Sequence, residues 1–555
     1  MRTDSDLENS RNKTADQPET ESGRDTRTSY LRTVTGPACP GYVDDTTASD
    51  LLLDTAFRKL DRTRTSPGRA MLYCFFRTQC SDSASYSARR RAISAFGSDP
   101  GLRAAVRAAL GKTGFQPAGD LVPWLWNYRR LGLVRFLLPL RIWILVSIAA
   151  LLSPALLGFE AVLYVILPVS VVNIMIHSGV TKRMQEFLEP LFYLFRLVGC
   201  AGRLVKAAGR AGHENRDDLP ELRELAALYP GIRSVPKRSA FIRPVFGDGG
   251  DPLSLLLEYV KIFLLQEVLA FLSTYHKVEK LLPEMKRLYE LTGRLDAFSA
   301  VAEYEAEGHE GVSVPDCADG RTVISFTGLT HPLIENCVGN TLALEKGVIL
   351  TGTNMSGKST FLRTLGLNQL LATTIGIVFA SGYRTGFHAV VTSIGRADDL
   401  LSHKSMYFAE AERLLSIITL VTGRNRRYLA LIDEILSGTN SADRIRASIT
   451  ILERLADTGS IVVSATHDLE IARALEGRYG NYHFSEHIGS GTLEFDYLIK
   501  PGIVDQRNAL RILAYLGYPE DIVSMLGERA EDAADGRPDS PRRNRGAGDG
   551  GSEIE

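Results

Sequence analysis

Hydrophobic residues fall into three regimes along this 555-residue chain. In residues 51–111 and 181–308 they recur at helical spacing among charges, as at Leu52, Ala56 and Leu60, and at Leu256, Val260, Phe263 and Leu264. That spacing predicts amphipathic helices. Residues 142–159 and 161–176 carry no charge at all, and only Glu160 separates them. Beyond residue 308 the apolar runs shorten to strand length and end at a glycine, an acid or a histidine: Val348–Thr351, Tyr428–Glu434 and Ile461–His467. Continuous apolar runs of that length predict parallel strands covered on both faces. Residues 1–50 and 527–555 mix charged and small polar residues without period, so both read as disordered.

The uncharged pair predicts a transmembrane helical hairpin over residues 131–177. A span needs roughly 20 apolar residues, and each run falls slightly short of that. Snorkelling from Arg141 and His177 extends both. Arg129, Arg130, Arg135 and Arg141 precede the pair, and Lys182 and Arg183 follow it. By the positive-inside tendency both ends are cytoplasmic and Glu160 is outside. This places the protein on the cytoplasmic face of the cell membrane. The alternative is a hairpin buried in a soluble cytoplasmic core, but two such runs in tandem favour the membrane.

Between the first strand and the next predicted helix lies a loop with Gly352, Gly357, Lys358 and Ser359 spaced as G-x-x-x-x-G-K-[ST]. The glycines let backbone N–H groups converge on phosphates, and a helix N-terminus adds partial positive charge. Lys358 suits the β- and γ-phosphates, and the Ser359 hydroxyl suits Mg²⁺. Asp433 ends the second strand, where it suits the Mg²⁺ shell. Glu434 suits a base for the attacking water, and His467, just past the third strand, suits a γ-phosphate sensor. Alone, an Asp-Glu pair is usually a solvated turn and a strand-end histidine is structural. Their shared order after apolar strands predicts a nucleotide-hydrolysing α/β domain.

Charge and cysteine usage restrict the partners. The formal net charge of −1 gives no global attraction to nucleic acid, so any DNA contact needs a local patch. Arg89, Arg90, Arg91, Arg103 and Arg107 form one basic cluster, for which a solvated helix face is the simpler reading. Six scattered cysteines form no C-x-x-C pair, so neither a zinc site nor a disulfide framework is indicated. No cleavable signal sequence opens the chain.

At this level of detail the chain resembles the MutS family of DNA mismatch-repair ATPases. Thr351-Gly-Thr-Asn-Met-Ser-Gly-Lys-Ser-Thr360 is similar to that family's T-G-P-N-M-G-G-K-S-T. Asp398-Asp399-Leu400 with Ser405-Met-Tyr-Phe-Ala-Glu410 resembles D-D-L followed by S-T-F-M-x-E. Asp433-Glu-Ile-Leu-Ser-Gly-Thr-Asn-Ser-Ala-Asp443 resembles D-E-I-G-R-G-T-S-T-x-D, and Ala465-Thr-His467 matches A-T-H. His331-Pro332 resembles the R-H-P entry to the ATPase. Leu60-Asp61 through Leu72 and Leu295-Asp296 through Ala302 look like signatures of the family's helical core and lever. Thr353, Ser356 and Leu436-Ser437 depart from the pattern, but every phosphate- and metal-binding group is kept.

The resemblance implies an α/β P-loop ATPase of the ABC type, C-terminal to an all-α core and lever domain that the apolar hairpin interrupts. The divisions expected are a disordered segment 1–50, helical core 51–130, hairpin 131–177, core and lever 178–308, ATPase 309–526 and a disordered tail 527–555. ATP with Mg²⁺ would be held by Gly352, Thr353, Asn354, Met355, Ser356, Gly357, Lys358, Ser359 and Thr360, with Ser359 and Asp433 on the metal. Glu434, His467 and Lys358 would carry catalysis. In a homodimer, Ser405 and Met406 would reach the other subunit's nucleotide, and Thr439, Asn440, Ser441 and Asp443 would line the same interface. Double-stranded or branched DNA is the expected partner. The family's mismatch-reading wedge domain and connector have no counterpart in the polar first fifty residues, so mismatch specificity does not carry over. The competing expectation is a membrane-associated ABC-type ATPase subunit of a transporter or scaffold, without DNA binding. Against it, Leu436-Ser437-Gly438 follows the acidic pair, whereas a transporter's L-S-G-G-Q precedes it.

Overall fold

The computed structural model describes residues 27–37, 39–127, 135–210, 218–237, 242, 260–353, 356–395, 406–423, 426–436, 440–489, 492–503 and 519. The expected disorder of residues 1–50 does not extend through that segment. From Arg27 onward the chain is folded, with Tyr30, Leu31 and Val43 buried. Tyr30 stacks on Tyr289 at 5.8 Å and meets Trp126 edge-on at 5.3 Å. Asp44 caps helix α1 (Asp45–Asp50) by accepting from the Thr47 N–H at 2.9 Å. A few aromatic and branched residues anchor this stretch, and its average composition hides them. The tail 527–555 lies outside the described residues.

The helical body is organised around one long helix. Helices α2 (Ser66–Arg77), α3 (Ser83–Ser98) and α4 (Pro100–Gly111) follow the period read from the sequence. Next come α5 (Leu137–Leu152), α6 (Leu167–Arg210), α7 (Pro220–Ile232), α8 (Gln266–Lys280) and α9 (Leu282–Ala306). Helix α9 packs against α2, α3, α4, α6 and α7, and is buried along most of its length. It meets α2 so closely that a Cβ on Gly293 would lie 2.7 Å from the Pro67 carbonyl oxygen. Fully buried Asp296 fastens that contact by accepting from the Thr65 hydroxyl at 2.6 Å and from the Arg64 and Thr65 N–H groups. Four of the cluster's five arginines are consumed here, and Arg91 is exposed. Arg90 pairs with Glu305, Arg103 and Arg107 reach Glu303, and Arg89 donates to the Thr374 carbonyl.

The C-terminal part is an α/β layer. Strands β1 (Val348–Thr351), β2 (Ala389–Ser393), β3 (Tyr428–Asp433), β4 (Ile461–Ala465), β5 (Gly480–His483) and β6 (Lys500–Pro501) form one sheet in the order β6-β5-β1-β4-β3-β2. All neighbours are parallel except β5 and β6. The central three strands are almost wholly buried, which explains their unbroken apolar runs. Helix α10 (Lys358–Thr374) leaves β1 and is buried over nearly its whole length, packing against β3 and α2. A second, four-stranded sheet stands beside it. The polar stretch 308–321, read as a linker, supplies two short strands: Val312–Ser313 forms a separate two-stranded pair with Val378–Phe379, and Asp316–Cys317 edges the four-stranded sheet beside Gly382–Thr385. Edge pairing of this kind depends on strands some sixty residues away and leaves no local signal.

Candidate nucleotide site

The end of β1 delivers Gly352 at φ 141°, where a Cβ would lie 2.9 Å from both the Phe484 carbonyl oxygen and the Ser356 hydroxyl. Gly357, at φ 107°, opens α10. Only glycine adopts both conformations without strain. The loop folds back on its own lysine. The buried Lys358 ammonium donates to the carbonyls of Gly352 at 2.6 Å and Thr353 at 2.8 Å. The Ser356 hydroxyl is buried in the same loop with no hydrogen-bond partner among the described residues. Asn354 and Met355, expected to bind nucleotide, lie outside the described residues, as do Ser405 and Thr439.

Acid and base groups gather at the ends of β3 and β4. The Ser359 side chain and the Asp433 carboxylate line one cleft together. Burial raises the Asp433 carboxyl above its ordinary range, as does the Glu434 charge; Ser359, Lys358 and Arg363 oppose this. Glu434 takes a left-handed backbone at φ 57°, uncommon outside glycine, and its N–H donates to the Ala465 carbonyl at 2.9 Å. The neighbouring strand thereby fixes where this carboxylate points. His467 Nδ1 lies 3.2 Å from Glu434 Oε1, and its Nε2 lies 3.7 Å from Asp468. Arg444 holds Asp468 with two hydrogen bonds of 3.0 Å.

A cleft of about 590 Å³ is lined by Thr353, Gly357, Lys358, Ser359, Thr360, Asp433 and Glu434 together with Arg363, Ile394 and Tyr497, and His467 joins it only through Glu434. A second, apolar cavity of about 360 Å³ shares Gly357, Thr360 and Tyr497 with it, and continues to Ile334, Val338, Asn340, Phe361 and Phe484. The sequence reading missed this part. Its residues come from five separate segments, and Tyr497 arrives through tertiary bonds: Asn340 donates to the Tyr497 carbonyl at 3.0 Å and accepts from the Ile499 N–H at 2.8 Å.

Asn440, Ser441 and Asp443 sit exposed at the start of helix α12 (Ser441–Ala456), and none lines the cleft of its own chain. Met406 begins helix α11 (Met406–Thr422). Among the described residues no cluster of three or more His, Cys, Asp or Glu has metal-binding geometry. The donor pair Ser359 and Asp433 nevertheless fits Mg²⁺, a hard cation that takes one or two protein oxygens and fills its shell with water and phosphate.

Known proteins share these features. Residues 348–533 match the family model of MutS domain V. The DNA mismatch repair protein MutS of Thermus aquaticus is 26% identical over 499 residues, 85% of this chain and 60% of that protein. The endonuclease MutS2 of Pediococcus pentosaceus is 28% identical over 269 residues, 47% of this chain and 33% of that protein. The chain therefore spans between a third and three fifths of these relatives' lengths. The chain thus carries a match to MutS domain V in its C-terminal part and is similar to a curated MutS protein over most of its length.

Proposed function

We propose that the protein is a P-loop ATPase whose ATP cycle, run in a homodimer, drives conformational change on double-stranded or branched DNA. The observation that carries this reading is the meeting of Lys358, Ser359, Asp433, Glu434 and His467 around one cleft, although they come from three separate strand ends. Lys358 would exchange the loop carbonyls for phosphate oxygens, with its charge already in place. Ser359 and Asp433 would hold Mg²⁺, which when bound neutralises charge on the β- and γ-phosphates. Glu434 orients the attacking water and takes its proton, while His467 steadies the carboxylate. The apolar cavity beyond Thr360 accommodates a base. The 590 Å³ cleft is open on one side, and exposed charges stabilise a transition state weakly. A second subunit covering the cleft with the start of α11, including Ser405 and Met406, and with the loop at Thr439 to Asp443, would close it. The DNA reading draws on the names of the two relatives, a DNA mismatch repair protein and an endonuclease.

One set of variants tests the reading. The measurements are ATP binding, Mg²⁺-dependent hydrolysis and retention of duplex and branched DNA, for the parent, Lys358→Ala and Glu434→Ala. Lys358→Ala should lose nucleotide affinity. Glu434→Ala should keep ATP but turn it over roughly 100-fold or more slowly. Parent-like turnover by Glu434→Ala refutes the role of that carboxylate. ATP-independent indifference to every DNA form refutes the DNA reading and leaves the ATPase standing.

A further inference from the structure

Helix α5 and the first part of α6 are built inside out. Along α5, Leu137, Leu140, Ser147 and Ala150 face inward, and the opposite stripe of Leu138, Ile142, Leu145 and Leu152 is exposed. A surface helix of a soluble protein would carry charges on that stripe. The same holds across the turn and up the returning helix: Leu156 is 87% exposed, Phe159 88% and Met175 68%, with Leu163, Leu167, Val171 and Ile174 also exposed. Only 22% of the most apolar window of the first helix is buried, and 6% of the second, so a soluble core does not account for them. Contiguous apolar surface on this scale marks an interaction site.

Ser147, Ser153 and Asn173 of the hairpin point inward, whereas Glu160 and Tyr164 near the turn are exposed. Fully buried Asn173 accepts from Trp143 Nε1 at 2.6 Å and donates to the Ser147 hydroxyl at 3.1 Å. It also donates to the Phe263 carbonyl at 2.7 Å, where the chain breaks its helix at Leu265 (φ 49°) before α8. The Ser147, Ser153 and Ser170 hydroxyls bond to carbonyls of their own helices. This arrangement suits hydrocarbon, where each polar group must be satisfied internally.

We propose that residues 136–176 span a lipid bilayer as a hairpin, entering and leaving on the side of the ATPase, with Phe159 and Glu160 at the far surface. The 21 residues of Leu137–Leu157 are about 31 Å long as a helix, matching the roughly 30 Å hydrocarbon thickness. Basic charges mark the near boundary: Arg135, Lys182 and Arg183, with Arg141 one turn inside it and the His177–Glu267 pair at 3.2 Å, while Glu160 is the charge at the far end. The second arm runs on as α6 into the helical body, where it packs against α4, α7 and α9. The bilayer arm and the lever helices thus form one connected body.

The test uses the full chain, synthesised with sealed phosphatidylcholine–phosphatidylglycerol vesicles. The parent should float with the vesicles and resist an alkaline carbonate wash. A Leu145→Lys, Ile174→Lys variant places two charges on the lipid-facing stripes and should lower the bound fraction at least ~100-fold while still binding ATP. In a Phe159→Cys variant, an impermeant maleimide should reach the introduced thiol only after the vesicles are opened, with the parent as control for the six native cysteines. Two results overturn the proposal. One is a parent chain that stays in the aqueous phase without detergent, as monomer or as an oligomer that covers the apolar stripes with a second copy. The other is labelling at position 159 in sealed vesicles, which would place the hairpin on the surface rather than across it.

Discussion

Asp50 shows how much a single carboxylate can organise. It accepts from the Thr392 hydroxyl at 2.7 Å and from the N–H groups of Ile394 and Gly395 at 2.9 Å each, closing the end of β2. Its own carbonyl accepts from Arg363 at 3.0 Å. Ile394 and Arg363 both line the nucleotide cleft, and the chain continues from Gly395 toward Ser405. Asp50 therefore braces the end of β2, and the expected trans-acting Ser405 follows in sequence outside the described residues. Asp50→Ala strands two buried donors, Thr392 and Ile394, so urea unfolding should show a loss of about 3 kcal/mol. Hydrolysis should slow while ATP affinity changes little, because no nucleotide-contacting group is removed. Unchanged turnover would make this carboxylate structural only. Nothing in the sequence marks Asp50, since its partners lie more than 340 positions away.

At the scale of elements, the strand–loop–helix unit is legible because its determinants are local. The apolar run, the two glycines and the lysine are consecutive, and β1 ends at Thr351 and α10 begins at Lys358 as the spacing requires. The segments flanking this unit carry a pH dependence. His331 and His388 are buried, and burial lowers both imidazoles from 6.5 to about 4, with Arg363 and Lys59 adding to it at His331 and Arg427 at His388. The unfolded chain binds these protons near pH 6.5, and the folded chain only near pH 4. Stability from both groups is thus complete above pH 6.5 and lost as pH falls toward 4. Denaturant midpoints measured across that window should fall with pH by an amount on the order of a few kcal/mol, and His388→Gln should flatten the slope. A slope that His388→Gln leaves unaltered would trace the effect to other groups.

The whole molecule raises the question of the second subunit. Asn440, Ser441 and Asp443 are exposed at one end of α12, and Arg444 beside them grips Asp468 next to His467. A partner touching this surface would reach His467 through Arg444 and Asp468. Mixing Ser405→Ala subunits with Lys358→Ala subunits should restore one intact composite site per heterodimer, giving activity above the average of the two separate variants once exchange is verified. Activity no higher than that average would favour an ATPase that works within one chain.

The sequence by itself determined what depends on neighbours along the chain. It set the phosphate loop, the acidic pair, the strand-end histidine, the periods of the core helices and the uncharged lengths of the hairpin, because helix and strand patterns and turn glycines act over a few residues. Only the tertiary structure decided what depends on distant segments meeting. It folded residues 27–50 onto the body through Tyr30 and Asp50, paired the arginine cluster with Glu303 and Glu305, and turned a polar linker into sheet edge. It also opened the apolar cavity beside the phosphate loop and sorted the hairpin into a polar inner seam and an apolar outer face. Burial and pairing are properties of the packed whole, so identical residue types read alike in the sequence whether they end up inside or outside.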